Sequence, residues 1–306
     1  MSEMIKRILS AMVLVMIAVS ALVFSDILYW LFPMALVYTL SILGLLEFYM
    51  LSDRGIEGKP IRYLGIFFVT MMSAVFYANL LNSQHSYVLG DLPIILQYLA
   101  RLGSDGSLLT FTLFMLLVST LTHQLFFRPI DGSIYSVSTT FAGIFYTSLP
   151  VLHVILFLGY TNKYFYIIFF ILVTAMTDSG AYFSGKFFGK HNAGLRVSPR
   201  KTYEGYIGGT ASAIIFGALF NYIWTAKFEM PGFSTAEVLI VSLAVSLLSI
   251  VGDLVESVFK RDAKKKDSAS LIPGHGGALD LADAMFLTLP AGYYYIYFKQ
   301  MLGFAV

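Results

Sequence analysis

No cysteine occurs anywhere in the 306 residues, which removes a disulfide-stapled scaffold and leaves the redox compartment unmarked. Charge is scarce as well: 12% of side chains are charged, against roughly 25% in an ordinary soluble domain. A soluble globular chain is therefore excluded. The net charge of +2 argues against nucleic-acid binding, and the shortage of polar residues argues against disorder. Nor is there the regular alternation at ten-residue spacing that an outer-membrane barrel needs. What is present is apolar: 58% of residues, with a mean hydropathy of +0.76. Runs such as 8–24 and 27–51 are long enough to cross a hydrocarbon layer about 30 Å thick. Backbone groups in that layer must bond within their own segment, so an all-α integral membrane protein is expected.

Apolar stretches place about nine spans, near 8–24, 27–51, 61–81, 107–127, 134–158, 164–184, 205–226, 235–256 and 281–304. The 88–103 stretch is shorter, carries Pro93 and ends near Arg101, which suggests an interfacial or re-entrant piece. Lys6 and Arg7 precede the first run as in a signal peptide, but no small-x-small cleavage site follows, so a retained first helix is expected. With the amino terminus inside, 16 Lys and Arg residues fall in cytoplasmic segments and 4 outside, and the opposite orientation would invert that split. Neither a fixed-period repeat nor a linker appears. One polytopic domain over 1–306 is the simplest organisation, with 1–160 poor in motifs and 161–306 carrying the polar loops.

Ten of the sixteen inner basic residues lie in two loops, between spans six and seven and between spans eight and nine. Anionic headgroups alone attract such residues by about 1 kcal/mol each, which is a sufficient account of a bare run like Lys264 to Lys266. Acids beside them change the balance. Asp253, Glu256, Ser257 and Lys260 recur at i, i+3, i+4 and i+7, on one face of a helix. An acid in a membrane helix is expensive unless it meets a partner or water, so Asp253 and Glu256 are site candidates, with an ion pair to Lys260 as the plainer account. Asp280 and Asp283 form a second i, i+3 pair, which could hold Mg²⁺ or could simply cap span nine. Between the pairs runs Pro273-Gly-His-Gly-Gly277, where His275, Gly276 and Gly277 could shape a phosphate loop. In the earlier loop, Ser198, Arg200, Lys201 and Thr202 offer donors suited to phosphate oxygens, although P-loop spacing is absent. Asp178 marks either a cavity wall or interhelical packing, and Glu47 reads as a snorkelling or packing acid.

Ser257 to Arg261, Lys266-Asp267, Pro273 to Gly277, Asp280 and Asp283 together resemble the signature of the phosphatidate cytidylyltransferase (CDP-diacylglycerol synthase) family. Asp178 to Tyr182, Gly185 to Lys190, Ser198 to Thr202 and Glu204-Gly205 are similar to the same family's preceding loop. Three positions depart from its pattern: Ala278, Ala282, and Leu281 where arginine is usual. The resemblance implies transfer of CMP from CTP to phosphatidate at the cytoplasmic face of a bacterial inner membrane. It further implies Mg²⁺ on Asp253, Asp280 and Asp283, with room for a second cation such as K⁺ and for a homodimer. Ser257 and Lys260 would join the three aspartates in catalysis, and Ser198, Lys201, Arg261, Lys266, His275, Gly276 and Gly277 would bind substrate. A CTP-dependent lipid kinase and an ion-coupled transporter are the rival classes; crowding of the polar residues on one face disfavours the second.

The charge distribution makes the orientation testable, because any introduced cysteine is the sole thiol. In intact cells, an impermeant thiol reagent should label a cysteine placed at the carboxyl-terminal end and spare one placed in the second basic loop. The reverse labelling pattern would invert the topology.

Overall fold

The computed structural model describes residues 3–24, 29–55, 58–83, 93–103, 106–269 and 276–304. Among these it is helical, without a named strand. In order the helices are α1 (Glu3–Val23), α2 (Leu31–Leu51), α3 (Arg62–Ser83), α4 (Ile94–Leu102), α5 (Ser107–Phe127), α6 (Ser133–Gly143) and α7 (Leu149–Phe157). There follow α8 (Lys163–Phe188), α9 (Tyr203–Phe228), α10 (Thr235–Asp262), α11 (Ala278–Ala282) and α12 (Met285–Met301). Seven helices are long and apolar enough to cross a membrane: α2, α3, α5, the α6–α7 run, α8, α9 and α10. The first and last expected spans are helices too, but α12 has only 17 residues and the apolar part of α1 covers Met12–Val23. The chain is an integral membrane protein, as its outward faces also require: α5 exposes Phe111, Phe114 and Leu125, and α9 exposes Ile215, Leu219 and Tyr222.

Contacts divide the chain into two compact units, one formed by Met1–Gly159 with Lys265–Leu281, the other by Tyr160–Lys264 with Ala282–Val306. In the first, the core is built around Tyr49, fully buried, whose hydroxyl donates to Thr140 O at 2.8 Å. Gly65 on α3 and Gly143 on α6 leave room for its ring; a Cβ at either would run into it. The α6–α7 run matches the expected span but is interrupted by a π-helical turn at Ile144–Ser148. Pro150 at the start of α7 has no N–H to continue the ladder, and the loosened turn lets Ser148 Oγ donate to Ser41 O at 3.1 Å. Within the 88–103 stretch, residues 88–92 lie outside the described residues and the remainder carries the nine-residue α4.

The second unit is organised by the α8–α9 hairpin, two 26-residue helices packed along small residues. Gly208 abuts Ser184, Gly180 abuts Ser212, and a Cβ at Gly209 would stand 2.6 Å from Thr177 O. Helices in lipid gain by such close backbone approach, because there is little hydrophobic drive between them. α10 starts at a capping box, Ser234 Oγ accepting from Glu237 N–H while Glu237 accepts from Ser234 N–H, and Glu237 is held further by Lys299 and Tyr295 of α12. It runs to Asp262, past the expected end at 256, so Ser257, Lys260 and Arg261 remain helical.

The ninth expected span requires a correction. Instead of one helix over 281–304, α11 ends at Ala282 and α12 begins at Met285, with Asp283 and Ala284 in the turn between them. The break has a visible cause: Ala284 N–H is turned onto Asp283 Oδ1 at 2.5 Å, and Gly252 of α10 packs directly on this backbone. Asp280 and Asp283 therefore do not share the face of one continuous helix.

The packing around Tyr49 yields an expectation. Gly143→Ala should destabilise the first unit by about 1–3 kcal/mol through overpacking, read as a lower thermal midpoint in detergent. An unchanged midpoint would mean that the Tyr49 ring moves freely.

Candidate functional site

The polar residues singled out from the sequence fall into one cluster in each unit. In the second unit the loop between α8 and α9 is closed on itself. Asn192 and Thr202 form an antiparallel bridge, Ala193 N–H donates to Lys201 O at 2.8 Å, and Asn192 Nδ2 donates to Pro199 O at 2.6 Å. His191 Nδ1 lies 2.5 Å from Glu204 Oε1, and Thr202 caps α9 by accepting from Gly205 N–H. This hairpin presents Lys201 while Ser198 and Arg200 lie on its turn, where Lys201 N–H donates to Ser198 O.

Lys201 pairs with Asp253 of α10. One turn further on, Glu256 is fully buried and pairs with Lys260, confirming the plainer account of that acid. Arg261 Nε donates to Val197 O at 3.3 Å, tying the end of α10 to the same hairpin, and Ser257 stands half-buried between them on the helix. Burial holds Lys201 below the usual lysine range; Asp178 and Asp283 pull it back up, and Lys260 opposes them. The Asp283 carboxyl is pushed up to about 7, first by burial and then by the like charge of Asp178, against smaller opposing effects from Ala284 N–H, Lys260 and Lys201. Four carboxylates and two ammonium groups thus interact in one unit. Asp178 is the member that sequence inspection left undecided between packing and a cavity wall. Its signal was an acid inside an apolar run, with Ser249 Oγ 3.5 Å away.

In the first unit, Glu47 of α2 is 3% exposed and does not snorkel. Its carboxylate accepts from Ala278 N–H at 2.9 Å, Leu279 N–H at 2.8 Å and Ser268 Oγ at 2.8 Å. Ser268 Oγ also lies 2.7 Å from Asp280 Oδ2, which in addition accepts from Ser268 N–H at 2.9 Å and Gly277 N–H at 2.8 Å. Asp280 thus caps the short α11, inside which it lies, by accepting from Gly277 N–H, and does not cap α12. Gly276 has φ +91° and a Cβ at Gly277 would collide with the Glu47 carboxylate and Ser268 Oγ, so both glycines are required by the backbone. Lys266 is exposed in the same stretch, and His275 lies outside the described residues.

The three aspartates expected to bind metal consequently have different settings: Asp253 is ion-paired, Asp280 is hydrogen-bonded within its loop, and Asp283 stands beside Asp178. Among the described residues no three acidic or histidine side chains converge closely enough to hold a metal ion by themselves. Mg²⁺ does not ask for that, since it binds through one or two carboxylates and completes its octahedron with water and substrate phosphates. The half-buried Asp283 and the exposed Asp178, whose like charges act on each other, fit such a cation.

A model of the cytidylyltransferase family matches residues 5–299. Among curated proteins, the chain is 44% identical over 133 residues to a phosphatidate cytidylyltransferase of Haemophilus influenzae, covering 42% of this chain and 44% of that one. It is 39% identical over 129 residues to the protein of that name from Bacillus subtilis, covering 42% and 46% of the two chains. For that of Staphylococcus aureus the identity is 42% over 125 residues, covering 41% and 46%. The match thus spans somewhat under half the length of each relative.

Removing the ammonium from the buried pair on α10 should expose its cost. Lys260→Met is expected to destabilise the protein by about 3–5 kcal/mol, with Glu256→Gln added to it recovering most of the loss, as thermal unfolding in detergent would register. If the single and double variants melt alike, the pair does not hold α10.

Proposed function

The chain belongs to the cytidylyltransferase family, and on that premise we propose that it transfers the cytidylyl group of CTP to phosphatidate, giving CDP-diacylglycerol and pyrophosphate. The observation that carries this reading is the second unit's cluster, where Lys201 and Lys260 interact with Asp178, Asp253 and Asp283. Cations for phosphates and carboxylates for a metal are what phosphoryl-group transfer needs, with little covalent work left to the protein. An oxygen of the lipid phosphate attacks the α-phosphorus of CTP in line, the bond to the bridging oxygen of the β-phosphate breaks, and pyrophosphate leaves. No covalent enzyme intermediate is required.

Mg²⁺ would be held by Asp253 and Asp283, with Asp178 beside the latter, and when bound would neutralise the phosphates and stabilise the departing pyrophosphate. The Lys201 ammonium stands against Asp253 and would have to turn away for a metal there, and a second, monovalent ion such as K⁺ is part of the same proposal. Lys201, Lys260 and Arg261 contact phosphate oxygens, and the hydroxyls of Ser198 and Ser257 donate to them. Lys266, His275, Gly276 and Gly277 shape the nucleotide loop. Asp280, whose Oδ2 accepts from Ser268 N–H and Gly277 N–H, is the third carboxylate proposed for the metal. Nine spans, with the amino terminus and both basic loops at the cytoplasmic face of a bacterial inner membrane, put these groups where a cytosolic nucleotide meets a lipid headgroup; the 16 to 4 distribution of basic residues supports that orientation.

The position of the transferred label tests the reaction. Purified protein in detergent with phosphatidate and Mg²⁺ should move label from the α-phosphate of CTP into lipid, leave γ label in pyrophosphate, and fall to background without Mg²⁺. Lipid carrying γ label would make the protein a kinase, and no labelled lipid from either substrate would overturn transfer altogether.

A further inference from the structure

Glu47 is a charge with no evident reason to be where it is. It sits in the apolar helix α2, and withdrawing a carboxylate from water costs several kcal/mol unless strong donors meet it. Packing alone would be served by a neutral side chain. Among the described residues, its carboxylate bonds to one distant stretch of chain: Ser268 on one side, and the amides of Ala278 and Leu279 on the other. One carboxylate thereby ties together two points 11 residues apart in sequence. Both of its oxygens are used, Oε1 on Ala278 and Oε2 on Leu279 and Ser268, so the orientation of the carboxylate plane is set along with its position. Next to the second tie, Gly277 passes so close to Glu47 and Ser268 Oγ that a Cβ would not fit.

We propose that Glu47 is a positioning residue for nucleotide binding, holding Ser268 and the 277–279 turn in place together with Asp280, at the two described ends of the loop assigned to the nucleotide. The inference rests on the assignment of that loop to CTP under the proposed function. Glu47 does not touch the nucleotide; it acts through Ser268, Gly277 and the first turn of α11. Loss of its charge takes the acceptor from the amides of Ala278 and Leu279 and leaves the ends held through Asp280, which accepts from Ser268 N–H and Gly277 N–H, so the nucleotide has to order the turn on binding. The cost therefore falls on CTP and not on phosphatidate, and less on the chemical step than on binding.

The test uses the full-length protein in detergent, with Glu47→Gln, Glu47→Asp and Ser268→Ala. Glu47→Gln keeps the shape of the side chain but replaces one acceptor by a donor facing a backbone N–H, and it should raise KM for CTP by about tenfold or more, as loss of a hydrogen bond to a charged group predicts. KM for phosphatidate and kcat should change far less. Glu47→Asp should restore part of the CTP affinity, and Ser268→Ala, which cuts one of the three ties, should fall between wild type and Glu47→Gln. Amide hydrogen exchange at residues 278 and 279, measured without substrate, should accelerate in the same order. That readout is independent of turnover, so an inactive wild type would count against the proposed reaction while exchange still judges the tie. Unchanged CTP KM in a folded Glu47→Gln protein, or a loss spread equally over both substrates and kcat, would overturn the proposal. If Glu47→Gln does not fold, an unchanged CTP KM in Ser268→Ala overturns it instead.

Discussion

A carboxylate taken out of water has to be met by something, and the polar architecture of this protein follows from how each one is met. The partners are of two kinds. Glu47 and Asp280 are met by neutral donors, backbone amides and the Ser268 hydroxyl, that the chain cannot withdraw without unfolding the turn. Asp253 and Glu256 are met by the ammonium groups of Lys201 and Lys260, at the ends of flexible stems. A bond to a backbone amide holds a loop in place. A bond to a lysine is exchangeable, because the ammonium can turn to a phosphate oxygen once another cation takes its place on the carboxylate. The first unit thus carries a fixed scaffold and the second an exchangeable charge cluster.

The helices serve this division by bringing polar side chains to places where close backbone approach is allowed. Small residues along α8 and α9 let these helices pack tightly, and the tight hairpin at their ends presents Lys201. Gly252 does the same for the Asp283 turn: with no Cβ on α10 at that point, the turn lies against the helix one residue before Asp253. Along α10, i, i+4 spacing pairs Glu256 with Lys260, and the next residue, Arg261, reaches the hairpin carbonyl of Val197. Family membership and a polar constellation of this kind are consistent with each other, and the constellation supplies the physical reason that the motif residues occur together.

Much of this was legible in the amino-acid order. The absence of charge over runs of about twenty residues dictates helices in lipid, since no other structure satisfies the backbone there. The i, i+3, i+4, i+7 spacing from Asp253 to Lys260 determines a shared helix face because 3.6 residues per turn is a local property of the backbone. The same local rule misled at Asp280 and Asp283, whose spacing is helical but whose helix breaks between Ala282 and Met285, where a nonlocal contact with Gly252 decides the path. Only tertiary structure could place Glu47 beside residues more than 220 positions away, or give Asp178 and Asp283 to one cluster. Periodicity reports which face a residue occupies; it carries no information about which distant face will be opposite. For a buried acid that opposite face determines whether it is a packing residue, an ion pair or the post to which a loop is tied.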